Sequence, residues 1–369
     1  MVSNRQLVST LEADGLLTVT LRDETLADPV GHEVLIRIEG APINPSDLGL
    51  LFGPADLENA QFSPGKIVAK MPEGAVRAMQ ARLGQVLPVG NEGAGTVIAA
   101  GDAPAAQALL GKVVAVIPGA MYAQYRIVDA RACMVLPDGA TAEQGAAAFV
   151  NPLTALCFVD ALKREGHKAL VHTAAASNLG QMLVRICQAD GVPLVNIVRS
   201  PAQVALLQGM GAEYVVDSSA DTFAADLVAA IEATGATLAF DAIGGGKIAG
   251  QILHAMEQVA SKGAAFSRYG SDAFKKVYTY GMLDTGPTVL NRTFGFSWSL
   301  SGFLLTPYMA QIGAEAVEGL RQRVRDELTT TFASHFKARI SLDEALTRDV
   351  ALAYNARATG EKYLIVPNG

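Results

Sequence analysis

Along the first third of the chain, apolar and polar residues alternate with the period of two that half-buried strands show. Residues 15–22 and 33–39 carry the pattern, with Gly31-His32 as the turn between them. Two prolines in Ala41-Pro42-Ile43-Asn44-Pro45 keep that stretch out of a helix interior. Residues 53–84 are less regular and read as an insertion, in which 75–83 could form a short amphipathic helix. Residues 86–100 and 112–117 read as further strands, with Gly93 and Gly95 permitting close backbone approach.

The pattern changes near Pro137. Short, mainly apolar runs at 169–173, 194–198, 214–216, 238–242 and 277–282 read as buried strands. Helical periods at 179–189 and 202–210 fall between them. Strands alternating with helices predict a parallel sheet covered on both faces. A late helix is expected over 341–358 and a last strand over 362–366. The fold class that follows is α/β, a β-rich first third followed by alternating strands and helices.

Composition narrows the function. Half of the 369 residues are apolar and 18% are charged, so the chain can bury a large core. The net charge is −7 and basic blocks are absent, which argues against binding a nucleic-acid backbone. Residues 1–15 lack the apolar run of a signal peptide, and the apolar stretch 146–159 is too short to span a bilayer, so no membrane partner is expected. Cys133, Cys157 and Cys187 are widely spaced and read as buried thiols, in keeping with a cytoplasmic location.

The sharpest local signal is the run from Ala169 to Gly180, Ala-Leu-Val-His-Thr-Ala-Ala-Ala-Ser-Asn-Leu-Gly. An apolar strand enters small residues and then a helix, which aims amide N–H groups at an anion. Of the three usual glycines only Gly180 is present; Asn178 stands where glycine is common and tolerates a left-handed conformation. An ordinary strand–helix turn with an asparagine cap fits the same letters. At the end of the next strand stands Arg199, where NAD-binding units place a carboxylate. Its planar fork suits a 2′-phosphate, although a solvated surface arginine is the alternative. Ser200 and Pro201 read as helix cap and first helical residue.

Several segments together resemble the medium-chain dehydrogenase/reductase superfamily. They are Asn44-Pro45-Ser46-Asp47, Val89-Gly90-Asn91-Glu92-Gly93-Ala94-Gly95, Gly111-Lys112-Val113-Val114-Ala115, Leu136-Pro137, Pro152-Leu153-Thr154-Ala155, Met210-Gly211-Ala212 and Tyr280-Gly281-Met282. Asn91-Glu92-Gly93, Val150-Asn151-Pro152 and Asn196-Ile197-Val198-Arg199 are similar to the quinone oxidoreductase and 2-enoyl thioester reductase branch. The resemblance implies a GroES-like domain over 1–130, completed by 305–369, plus a Rossmann domain over 131–304, NADPH as cofactor, hydride transfer to an activated C=C bond or quinone, a small-molecule substrate and a homodimer. It further implies a cofactor surface from Ala175, Ser177, Asn178, Leu179, Gly180, Arg199, Ile243, Tyr280, Gly281, Met282 and Phe296. Asn44 and Thr154 are the implied polar residues beside the nicotinamide; turn formation and helix capping are their structural alternatives.

Two departures from the superfamily matter. Zinc-dependent members carry a cysteine and a histidine where Pro45 (with Asn44 beside it) and Asn91 stand here, and no thiolate–imidazole set replaces them, so no metal is expected. Enoyl thioester reductases carry a tyrosine in the loop after the Asn-Pro-Ser-Asp segment, and none occurs between Leu50 and Val89. Tyr122, Tyr125, Tyr269 and Tyr280 remain as phenols that could donate a proton. Asp47 and Glu92, without a metal to bind, are expected to take backbone or basic partners. A zinc-independent carbonyl reductase and a non-catalytic NADPH-binding protein are the competing functions.

Overall fold

The structure is a computed structural model and describes residues 1–360 and 362–369. Residues Met1–Val150 with Arg321–Gly369 form one compact unit, and Asn151–Leu320 form a second. Residues 131–150 thus group with the first unit and 305–320 with the second.

The first unit opens with β1(Val2–Leu11), β2(Leu16–Leu26) and β3(Glu33–Pro42), followed by the short helix α1(Pro45–Leu51). An antiparallel pair, β4(Asp56–Ser63) and β5(Lys66–Lys70), comes next, then α2(Glu73–Ala78), β6(Val86–Pro88) and β7(Gly93–Ala100). The helix α3(Pro104–Gln107), strands β8(Val113–Val116), β9(Tyr125–Asp129) and β10(Met134–Val135), and α4(Ala142–Gly145) complete this segment. One sheet has the order β4-β5-β2-β1-β6. The close backbone approach expected at Gly95 is present: a Cβ there would lie 1.9 Å from the Arg37 carbonyl oxygen on β3.

The insertion expected at 53–84 is not an irregular loop. Ser63-Pro64-Gly65-Lys66 closes a hairpin, with Ser63 paired to Lys66 and Gly65 at φ +69°. Proline followed by a positive-φ glycine is the chemistry of a tight turn. The hairpin adds to β2 and buries Leu57, Ile67 and Ala69 in the core of the unit. The helix expected at 75–83 begins earlier, after Pro72, and ends as Met79 leaves helical geometry at ψ 25°; a 3-10 turn follows at Gln80–Arg82.

The second unit begins along α5(Val150–Glu165). Then follow β11(Leu170–His172), α6(Asn178–Asp190), β12(Leu194–Val198), α7(Pro201–Gly209), β13(Tyr214–Asp217), α8(Phe223–Thr234) and β14(Leu238–Asp241). The chain continues through β15(Gly244–Gly246), α9(Ile248–Ala260), β16(Lys275–Thr279), β17(Asp284–Thr288), β18(Trp298–Gly302) and α10(Leu305–Ile312). Six of these strands form a parallel sheet in the order β13-β12-β11-β14-β16-β18. That is the Rossmann order, in which the chain leaves the central strand toward one edge and returns to build the other. Its core includes Val171, Val195, Ile197, Ala239, Ile252 and Val277. At one edge of this sheet stands β18, which begins after Gly295, a residue at φ +68°.

The helix α11(Ala314–Asp326) leads back to the first unit, where β19(Ala338–Ile340), α12(Arg348–Asn355) and β20(Tyr363–Ile365) lie. The second sheet of that unit runs β10-β8-β7-β3-β20-β19, with β9 also on β3. The continuous helix expected at 341–358 is divided, because Thr347 is extended at ψ 150° and separates a 3-10 turn from α12. A β-rich domain and a parallel-sheet Rossmann domain therefore stand as the sequence led one to expect.

Candidate functional site

The turn after β11 carries the phosphate-site signature in the second unit. Ser177 caps α6, its Oγ accepting from the Gly180 amide at 3.1 Å. The N-terminal end of the α6 macrodipole is thereby held at the turn. Gly180 is required by space: a Cβ would lie 2.1 Å from the Ala175 carbonyl oxygen. The expectation of a left-handed Asn178 is corrected. Asn178 is the first residue of α6, and the left-handed position is Ala174, at φ +50°. The reversal occurs directly after Thr173, before the cap, so the strained position falls earlier than the letters suggest. Leu179 is buried, Ala175 is fully buried, and Ala175 N–H donates to the Ile197 carbonyl at 3.1 Å.

Arg199 follows β12 and is exposed; its amide N–H donates to Gln203 Oε1 at 3.0 Å. Ser200 caps α7 and Pro201 is its first residue. The guanidinium stands at the carboxyl end of β12, the same edge of the sheet as the turn after β11, which pairs with β12 in parallel.

Two strand ends beside the turn carry polar groups that the sequence did not single out. Asp241, ending β14, is fully buried and accepts from Thr173 Oγ at 2.7 Å and from the Ile243 and Gly244 amides at 2.9 and 3.0 Å. Thr173 Oγ in turn accepts from the Ala242 amide at 2.8 Å. This chain of bonds fixes the backbone at Ile243. The signal in the sequence is an aspartate closing an apolar strand ahead of Gly244-Gly245-Gly246. His172 is fully buried, with Nε2 at 2.7 Å from Tyr280 Oη, and burial pulls its pKa down to about 3, so the ring is neutral. Gly281 lies against the β14 end, where a Cβ would meet the Ala242 carbonyl oxygen at 2.6 Å. Met282 and Phe296 are strongly exposed, and the Phe296 ring stands edge-on to Tyr269. Thr154 is buried within α5, too far along the helix to cap it.

The first unit holds a buried polar cluster built on the Asn-Pro-Ser-Asp and Asn-Glu-Gly segments. Asn44 precedes α1 and Asp47 sits in its first turn. Asp47 accepts from the Asn44 amide with Oδ2 and from the Asn91 amide with Oδ1, both at 2.8 Å. Glu92 Oε2 accepts from the Phe149 and Val150 amides at 2.9 and 2.8 Å, and Oε1 accepts from Asn44 Nδ2 at 2.8 Å. Both carboxylates therefore take mostly backbone partners, as carboxylates without a metal require. Because Glu92 fixes the Asn44 amide, the remaining side-chain atom of Asn44, Oδ1, is buried with no partner. Asn44 is also the N-cap of α1, in a capping-box arrangement with Asp47, the helix-capping role its residue type allows. Lys362 Nζ is also buried without a hydrogen-bond partner, and its charge favours an ionised Glu92. Burial pushes Asp47 up to about 7 and raises Glu92, against the hydrogen bonds that each accepts.

The other phenols are committed or apart. Tyr122 is fully buried and donates to the Pro42 carbonyl at 3.1 Å, while Tyr269 is 60% exposed. Asn91 Nδ2 donates to Ser46 Oγ at 2.9 Å. Among the described residues, no group of three or more His, Cys, Asp or Glu side chains is placed to hold a metal ion. Burial pushes the Cys133 and Cys157 thiols up to about 12, so neither is a ready thiolate. No described helix is long and apolar enough to cross a membrane.

Comparison with known proteins gives no matching family model. The chain is 26% identical over 218 residues to the mitochondrial enoyl-[acyl-carrier-protein] reductase of Mus musculus, a match covering 58% of this chain and 52% of that protein. The chain spans about half the length of the curated relatives it matches. Among solved structures it is similar to a candidate NADPH:quinone reductase of Mesorhizobium loti, with 27% identity, a TM-score of 0.74, and 99% and 98% of the two chains covered. The Escherichia coli quinone oxidoreductase, solved in complex with NADPH, matches at 18% identity with a TM-score of 0.69, covering 99% of this chain and 100% of that one.

Proposed function

Starting from a chain with the medium-chain dehydrogenase/reductase fold of quinone oxidoreductases and enoyl reductases, we propose that it is an NADPH-dependent reductase. It transfers hydride to a quinone or an activated C=C bond without zinc. The observation that carries the reading is the turn after β11, where space excludes any side chain at Gly180 and an exposed Arg199 stands at the same sheet edge. The fit to a dinucleotide phosphate is stereochemical. Small residues leave the backbone open, the capped start of α6 supplies a positive end, and Arg199 supplies the fork for a 2′-phosphate.

NADPH, when bound, supplies the hydride. The chain must do the rest. Asp241 and Thr173 hold the strand ends at Ile243 rigid, and the neutral His172 keeps the Tyr280 phenol in a fixed hydrogen bond. Reduction of an enone or enoyl thioester makes an enolate that needs a donor at oxygen and a proton at carbon. Asn44 has one of its two amide N–H groups committed to Glu92. Tyr122 donates to a backbone carbonyl instead. Quinones, whose reduced oxygens can be protonated by water, place fewer demands on a positioned acid and fit this donor-poor set best. Metal independence is supported by the two motif positions: Pro45 has no ligand atom, with Asn44 beside it bonded to Glu92, and Asn91 is a neutral amide bonded to Ser46.

A homodimer through the second unit is part of the reading. Among the described strands β18 has a partner on one side only, and the exposed apolar residues Phe296 and Leu304 flank its two ends in sequence. An unpaired edge of this kind invites strand pairing with a second copy.

The test is NADPH oxidation with a small quinone, a short enone and enoyl-CoA esters of increasing length. Highest kcat/KM for the small quinone is expected. A preference for enoyl-CoA that rises with chain length would overturn the substrate class, and a tightly bound zinc whose removal abolishes turnover would overturn the metal-free reading.

A further inference from the structure

A cavity of about 300 Å³ opens at the end of the parallel sheet opposite the turn after β11. It lies at the amino ends of β12 and β13, so the whole length of β12, Leu194–Val198, separates it from Arg199. Val184, Val192, Leu194 and Ala233 supply apolar walls. Its size is at the small end of the range for ligand pockets, ~300–1,000 Å³.

Three features give the cavity one electrostatic sign. Its rim includes Gly191, Gly211 and Ala233, which lie at the carboxyl ends of α6, α7 and α8, so three helices of nine or more residues direct their negative ends toward it. Glu213 adds a carboxylate to the lining. Asn196 is 1% exposed and lines the cavity. Its Nδ2 donates to the Leu194 and Tyr214 carbonyls at 3.3 Å, which fixes the amide and leaves Oδ1 buried with no partner. A buried acceptor without a donor is costly and is satisfied best by a donor that enters from outside. The Gln188 side chain does not serve, because its Nε2 donates to the Met210 carbonyl at 3.0 Å.

We propose that this cavity is a second ligand site, for a small primary ammonium compound with a short apolar body. The ammonium donates to Asn196 Oδ1 under the negative helix ends, and the apolar body lies on Val184, Val192 and Leu194. The inference is independent of the proposed reductase activity, because the cavity shares no residue with the turn or with the strand ends beside it.

The experiment is calorimetric titration of the full chain with 2-phenylethylammonium chloride, with ethylbenzene as an apolar probe of similar shape. Saturable binding of the ammonium is expected, at least about tenfold tighter than ethylbenzene, the ratio that one charge-assisted hydrogen bond readily supplies. N196L removes the acceptor and should weaken the ammonium at least about tenfold while leaving ethylbenzene bound. A233F narrows the cavity with Asn196 intact and should weaken both probes, which keeps the test valid if N196L fails to fold. NADPH affinity should be unchanged in a folded variant. Absence of saturable binding, equal affinity for the two probes, or an N196L protein that binds the ammonium as well as the parent would each overturn the proposal.

Discussion

Replacing Arg199 with glutamate tests the cofactor assignment most directly. The side chain is exposed, and no described residue pairs its guanidinium, so the substitution disturbs no internal ion pair. A 2′-phosphate held by the guanidinium fork gains up to two charge-assisted hydrogen bonds, each worth ~1.5–3 kcal/mol when sheltered. Exposure and salt screening bring the sum down to about 2 kcal/mol. A carboxylate placed ~5 Å from the phosphate adds about 1 kcal/mol of repulsion in water. The total of about 3 kcal/mol corresponds to a ~100-fold weaker NADPH complex. NADH lacks the phosphate, and its affinity should change by less than about threefold. Calorimetric titration of both cofactors into the parent, Arg199→Glu and Arg199→Ala separates lost attraction from added repulsion, and the NADPH loss should shrink as salt is raised. Equal weakening of NADPH and NADH would refute the 2′-phosphate role and return Arg199 to an ordinary surface arginine.

Three further outcomes follow from the same geometry. Gly180→Ala drives a Cβ to 2.1 Å from the Ala175 carbonyl oxygen, so NADPH affinity should fall at least about tenfold, with ~1–3 kcal/mol of stability lost; unchanged affinity in a calorimetric titration would mean the turn is not the phosphate site. Ala174→Gly removes a side chain held at φ +50° and should raise stability in urea by about 1 kcal/mol, whereas a destabilised variant would show that the alanine methyl packs better than it strains. Asp47 is raised from its ordinary 3.8 to about 7, so the folded state favours its protonated form and this contribution is fully present below about pH 4 and lost as pH rises through about 7. The loss is at most about 4 kcal/mol, and Asp47→Asn should flatten the fall in urea stability between about pH 5 and 8; an unaltered profile would reject Asp47 as the titrating group.

How much of this was legible in the letters depended on which force set each feature. The run 194–198 is apolar but for Asn196, and both ends of β12 coincide with it, because burial on both faces leaves few polar positions to blur the pattern. The Ser200-Pro201 start of α7 was equally readable, since capping is local chemistry. The hairpin β4–β5 was missed although Pro64-Gly65 marks its turn. Its strands have one face toward the core and several exposed polar residues, as in the Asp56–Ser63 pattern, and such edges give weak alternation. Ala174 could not be read as left-handed because alanine gives no sign of it; the conformation is imposed by the strand end and the cap on either side. The Asp241–Thr173 and His172–Tyr280 pairs join residues 68 and 108 positions apart, and only the parallel register of β11, β14 and β16 brings them together.

The family resemblance implies Asn44 as a polar residue beside the nicotinamide, but the type of residue does not say which of its atoms is available. That choice is made by Glu92, 48 positions away, which accepts Nδ2 and leaves Oδ1. Glu92→Gln should reverse it. A glutamine at 92 serves the Phe149 and Val150 amides best with its own carbonyl oxygen, which turns its N–H₂ toward Asn44. The Asn44 amide then gains by flipping, so that Oδ1 accepts from Gln and Nδ2 becomes the free atom. On the proposed reading, the place now held by Oδ1 then presents a donor to an enolate oxygen. The kcat/KM ratio of a short enone to a small quinone should rise by about tenfold, a modest share of what one oxyanion donor is worth. Loss of the Glu92 charge also leaves Lys362 less compensated, so stability should fall by ~1–3 kcal/mol. That cost acts on both substrates alike and cancels in the ratio. A Glu92→Gln protein in which enone and quinone rates fall by the same factor would show that the free atom of Asn44 does not meet the substrate oxygen.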